Sequence, residues 1–163
     1  MLRRQFLAST LVALVLPLAA CLDTSGDGVT MPEAVPIESA SFATALGVNL
    51  QASTRTSTGL YFRDIAVGSG PTVAAGQLVS VRYTGWLSSG QQFDSNVSEA
   101  TPLEFALGAG RLIPGFEQGV AGMRVGGQRQ IIIPPSLAWG PGGNERIPGN
   151  AIVVFNVEVV SVR

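Results

Sequence analysis

Apolar and polar positions alternate over Val79, Ser80, Val81, Arg82, Tyr83 and Thr84, with Val79, Val81 and Tyr83 sharing one face. A period of two predicts a strand with one buried side. The same reading gives a first strand over 60–67, ended by Gly68-Ser69-Gly70-Pro71. It gives a short strand at Leu103 and Phe105, another over 128–133 with Ile131 and Ile133 on one face, and a long final strand. In that last strand Val153, Phe155, Val157 and Val159 point inward and Asn156 and Glu158 face solvent. Within this region only one segment carries the helical period. It starts near Ile113, tolerates Pro114 in its first turn, and lines up Phe116, Val120 and Met123 at i, i+4 and i+7. Gly119 and Gly122 weaken it intrinsically, so packing must hold it. One helix against several antiparallel strands is an α+β layout.

Upstream the pattern changes twice. Phe6 to Ala20 is an apolar run preceded by Arg3-Arg4, shorter than the ~20 residues a spanning helix needs. It reads as a signal peptide over 1–20. Residues 21–55 are rich in small and polar residues, with Met31-Pro32 and Val35-Pro36 breaking regular structure. This stretch is expected to be a flexible tether. Phe42, Leu46 and Leu50 stand at helical spacing within it, leaving room for a short helix that packs on the domain at 56–163.

Composition narrows the chemistry. The 163 residues are 46% hydrophobic and 13% charged, with no His and one Cys. The absence of His excludes a Ser-His-Asp triad, a Cys-His pair and a His-ligated zinc site. The single Cys forms no internal disulfide. All ten basic residues are Arg, and removal of a leader carrying Arg3 and Arg4 leaves eight against eleven acidic residues. No basic cluster remains in the mature chain, so nucleic acid is not an expected partner. No metal and no cofactor are expected.

Two linked motifs carry the candidate function. One runs Val81-Arg82-Tyr83-Thr84-Gly85-Trp86-Leu87, then Gly90 and Phe93-Asp94-Ser95; the other is Leu107-Gly108-Ala109-Gly110-Arg111-Leu112-Ile113-Pro114-Gly115-Phe116-Glu117. They set one Asp among aromatic and branched side chains with no strong nucleophile between. That composition points to a pocket working by shape and low polarity. Together with Ile133-Pro134, Ala138-Trp139-Gly140, Ile147-Pro148 and the closing Val153–Val159 run, this order and spacing resembles the FK506-binding-protein (FKBP) type of peptidyl-prolyl cis-trans isomerase. The resemblance covers roughly residues 56–163.

The resemblance implies a curved antiparallel sheet wrapped around one short helix, and rotation of Xaa-Pro bonds in proline-containing polypeptides. It implies a pocket of Tyr83, Phe93, Asp94, Ile113, Phe116, Trp139 and Phe155, with Leu112 and Ile147 also touching substrate. Phe116 would form the floor, the Ile113 N–H would hold a substrate carbonyl, and Asp94 would act electrostatically and orient Tyr83. Phe116 stands where the family usually has Trp, Trp139 where it has Tyr, and Leu103 where an aromatic is common. Glu99 replaces an Arg that pairs with the pocket Asp in a relative, leaving Arg111 or Arg146 as substitutes. The Gly140–Ile147 loop is too short for the chaperone insert of some relatives. A catalytically weak module that holds Pro-containing segments is the competing reading.

Leu18-Ala19-Ala20-Cys21 resembles the bacterial lipobox, in which the Cys is acylated and becomes the first mature residue. Two or more acyl chains on Cys21 would anchor the chain to a bilayer stably, where one binds marginally. Arg3-Arg4-Gln5-Phe6-Leu7 also resembles a twin-arginine export signal. The expected place is the bacterial envelope, with Leu22 rather than Asp after the Cys leaning towards the outer membrane. A monomer is expected.

Overall fold

The computed structural model describes residues 33–163. Cys21, the leader and the early tether lie outside the described residues. The strands are β1 (Thr54–Arg55), β2 (Tyr61–Ala66), β3 (Leu78–Leu87), β4 (Gln92–Ser95), β5 (Leu103–Ala106), β6 (Gln128–Ile133) and β7 (Val153–Val162), with one α-helix, α1 (Pro114–Val120). Every pairing is antiparallel, in the order β1-β2-β6-β7-β3-β4. The long β3 serves two neighbours on its outer edge. Leu78 to Val81 pair with β5, and Thr84 to Trp86 pair with β4. The expected α+β fold, a curved antiparallel sheet around one short helix, is the fold observed.

Alternation decides which side chains meet the helix. Val79 and Val81 of β3, Ile131 and Ile133 of β6, and Val153, Phe155, Val157 and Val159 of β7 are all nearly inaccessible and form one core with Phe116, Val120 and Met123. Helix α1 has only seven residues, too few to persist alone. Its glycines explain how packing holds it. A Cβ on Gly115 would lie 2.2 Å from Ile133 Cγ2, and one on Gly119 2.5 Å from Ile131 Cδ1. The missing side chains let the helix sit directly on β6. Its last turn is then gripped by Arg129 of β6. That guanidinium donates to the carbonyls of Gly119 (2.9 Å) and Ala121 (3.3 Å), pairs with Asp64 at 2.6 Å, and lies 4.3 Å from the centre of the Phe62 ring.

The convex face of the sheet is also covered, which corrects the tether expectation for residues 33–55. Three single 3-10 turns, Ile37–Ser39, Thr44–Leu46 and Leu50–Ala52, replace the possible helix. Ile37 is buried against Tyr61, Ile132, Ile152 and Val154, with Phe42, Leu46, Val48 and Leu50 packed around them. Polar bonds fasten this segment down. Tyr61 donates to Glu38 at 2.7 Å, Gln130 to the Leu46 carbonyl at 2.8 Å, and the Ala43 N–H to the Ser88 carbonyl at 2.9 Å. Arg55 of β1 pairs with Glu38 at 3.0 Å. The physical reason is two-sided apolarity: Ile131-Ile132-Ile133 and Ile152-Val153-Val154 put large aliphatics on both faces, so both faces need cover.

Candidate active site

Between α1 and the concave face lies a cavity of about 100 Å³. Each wall comes from a different element. Tyr83 stands on β3, Phe93 and Asp94 on β4, Leu103 on β5, Leu112 and Ile113 on the loop entering α1, Phe116 on α1, Trp139 on the loop after β6, and Phe155 on β7. Cross-strand register brings Asp94 and Phe155 to either side of Gly85. A Cβ at Gly85 would come within 2.7 Å of both the Phe155 and the Phe93 rings. The glycine of the Tyr-Thr-Gly motif therefore leaves room for two aromatic walls.

The rings form an edge-to-face box. Phe116 meets Phe155 at 5.2 Å and 81°, Phe93 meets Phe155 at 5.5 Å and 87°, and Phe93 meets Trp139 at 5.7 Å and 83°. Tyr83 meets Phe116 at 5.7 Å and 75°. These are the orientations that the aromatic quadrupole favours, and they set the aromatic walls of the cavity. Phe116 is 3% exposed and closes the bottom.

Polar groups enter this apolar enclosure at few points. The Tyr83 hydroxyl donates to Asp94 Oδ2 at 2.7 Å, and the Ser95 N–H donates to Asp94 Oδ1 at 2.9 Å. Burial, and next the Asp94 carboxylate, push the Tyr83 phenol far above its ordinary 10.0. Tyr83 is thus a neutral donor throughout the physiological range. Ion pairs among the described residues join Arg55 to Glu38, Arg129 to Asp64 and Arg163 to Glu104. Neither Arg111 nor Arg146 pairs with Asp94, so neither replaces the partner lost at Glu99. The Ile113 N–H, at the entry to α1, finds no acceptor among the described residues.

Eight of the nine expected pocket residues come together here. Ile147 does not. It is 3% exposed and belongs to the core, because Asn144 turns the short loop tightly: its Oδ1 accepts from the Ile147 N–H at 2.9 Å and its own N–H reaches the Ile147 carbonyl at 2.8 Å. Leu103, read in sequence only as a departure, lines the cavity instead. Two polar residues went unnoticed. Asn96 is 4% exposed; its Oδ1 accepts from the Tyr83 N–H at 2.7 Å and its Nδ2 donates to the Val81 carbonyl at 3.0 Å. Glu117 is 9% exposed and accepts from the Gly108 N–H at 2.9 Å and the Leu112 N–H at 3.3 Å. Their signal was weak, since each acts on backbone groups that no residue pattern records.

The family profile described as FKBP-type peptidyl-prolyl cis-trans isomerase matches residues 70–160. The chain belongs to the FKBP-type peptidyl-prolyl cis-trans isomerases. It is 47% identical over 107 residues to an FK506-binding protein of Streptomyces anulatus, covering 63% of this chain and 86% of that protein. It is 34% identical to AtFKBP13, covering 68% of this chain and 98% of that one, with a TM-score of 0.64. FkpA from Escherichia coli matches at 34% identity and a TM-score of 0.64 over 69% of this chain, which spans 52% of FkpA. The FKBP-type fold thus accounts for the segment that holds every lining residue of the cavity. What the isomerase acts on is the Xaa-Pro bond, whose two isomers differ by only ~0.5–1 kcal/mol yet interconvert in tens to hundreds of seconds.

Proposed function

We propose that this isomerase acts on exported polypeptides from a lipid anchor at Cys21, and that the cavity between α1 and β3 is where the Xaa-Pro bond turns. The observation that carries the site assignment is the single Tyr83–Asp94 bond set into a cavity otherwise walled by Phe93, Leu103, Leu112, Phe116, Trp139 and Phe155. Amide conjugation imposes a barrier of ~18–20 kcal/mol. The twisted amide loses conjugation and much of its dipole, so water favours it less than the planar form. A dry pocket reverses that preference, which is differential binding of the transition state without a covalent step. Phe116 and Phe155 support the proline ring. The unclaimed Ile113 N–H receives a substrate carbonyl and so fixes which side of the bond is held. Asp94 places a negative charge beside the carbonyl carbon as its dipole changes, and Tyr83 holds that carboxylate still.

Isomerisation of a short peptide containing Leu-Pro-Phe tests the site. Asp94→Ala is expected to lower kcat/KM about tenfold, equivalent to ~1.4 kcal/mol; an unchanged rate removes Asp94 from the mechanism. The anchor rests on the small residues before Cys21 and the apolar run that precedes them. Labelled palmitate is expected to enter the wild-type chain and not Cys21→Ser, which should leave the membrane fraction. Equal labelling of both chains would refute the anchor.

A further inference from the structure

The loop between β5 and α1 has a problem to solve. It must present the Ile113 N–H without an internal acceptor, beside apolar walls where an unpaired donor is costly. A free loop would turn that N–H towards the nearest carbonyl. Two neighbouring N–H groups, Gly108 at one end of the loop and Leu112 next to Ile113, are both taken by one carboxylate, Glu117. Glu117 stands on the first turn of α1, one residue beyond the pocket floor Phe116. Its side chain is almost fully buried, in a place where a carboxylate is retained only when well bonded.

We infer that Glu117 is a positioning residue for the isomerisation: its two carboxylate oxygens brace the 107–113 loop so that the Ile113 N–H stays aimed at the substrate carbonyl. The inference rests on the proposed substrate contact at Ile113 and adds what holds it. Two acceptor oxygens are the essential property. Gln offers one acceptor and, in place of the second, an NH₂ that faces the other N–H donor to donor. Asp keeps both oxygens and the charge but is one methylene short of the loop.

Glu117→Gln and Glu117→Asp in the full chain test this, with Ile132→Ala as a control that lowers stability from the opposite face of the sheet. Both Glu117 variants are expected to lose about tenfold in kcat/KM, mostly in kcat, with KM changing less than about threefold. The control is expected to stay within about twofold of wild type at a comparable fall in Tm. The Ile113 amide resonance is expected to move on addition of a Leu-Pro-Phe peptide in the wild type and to move much less in Glu117→Gln. Rates of both Glu117 variants within twofold of wild type, or a matching loss in Ile132→Ala, would overturn the bracing role. A wild-type Ile113 resonance that ignores bound peptide would instead overturn the substrate contact, and the bracing role with it; an intact response in wild type and Glu117→Gln alike would overturn the bracing role alone.

Discussion

Asn96 holds Tyr83 from behind. Its side chain replaces a missing ladder partner where β4 ends, taking the Tyr83 N–H and giving a hydrogen to the Val81 carbonyl. Asn96→Ala removes the side-chain partner of both backbone groups, at a cost of about 1–3 kcal/mol of stability, readable as a lower urea midpoint. The phenols make a second prediction at this scale. Tyr83 is raised by burial and by Asp94, and Tyr61 by its bond to Glu38. Both folded-state values lie above the ordinary 10.0, so the unfolded chain gives up its phenolic protons first. Over that interval the unfolded state binds fewer protons, and stability falls as pH rises; below it these groups contribute no slope. Denaturant titrations from about pH 9 upward should show this fall, and Tyr83→Phe should reduce it. Tyr83 and Asp94 were legible as a pair because their spacing matches a known motif. Asn96 and Glu117 were not, because their partners are peptide groups, on β3 for Asn96 and on the 107–113 loop for Glu117, that no side-chain pattern records.

At the level of elements, α1 depends on what its glycines omit. Alanine at Gly119 gains about 1 kcal/mol in helix propensity. It also drives a Cβ to within 2.5 Å of Ile131 Cδ1 and 2.6 Å of its Cγ2, in a core where overpacking costs typically 1–3 kcal/mol. The second effect is the larger, so Gly119→Ala is expected to lower Tm. A rise in Tm would mean that the helix can lift off β6 cheaply. The period-two strands and the 116, 120, 123 stripe were readable because each repeats over several residues. The cover on the convex face was readable only in part. The 42, 46, 50 spacing allowed a short helix packed on the domain, but single 3-10 turns have no sustained period and Val35-Pro36 reads as tether. The available clue was the continuous aliphatic run at 131–133 and 152–154, which no single buried face accounts for.

Taken whole, the molecule separates the proposed catalytic cavity from the cover. The cavity lies on the concave side with α1, while residues 36–50 seal the convex side. Ile132, fully buried under that seal, is expected to cost about 2–5 kcal/mol when cut to Ala and to leave kcat/KM unchanged. A parallel loss of rate would show that the two faces are coupled through β6. The sheet-and-helix layout could be read from periodicity, whereas the pocket positions came from the FKBP resemblance; eight of the nine line the cavity, and Ile147 does not, since the Asn144 turn decides where its side chain goes. The most direct measurement is the isomerisation rate of a Leu-Pro-Phe peptide by the wild-type chain, Asp94→Ala and Ile132→Ala side by side. Catalysis that drops about tenfold in Asp94→Ala and holds in Ile132→Ala is the predicted result. Equal rates for wild type and Asp94→Ala would contradict the assignment of the chemistry to this cavity.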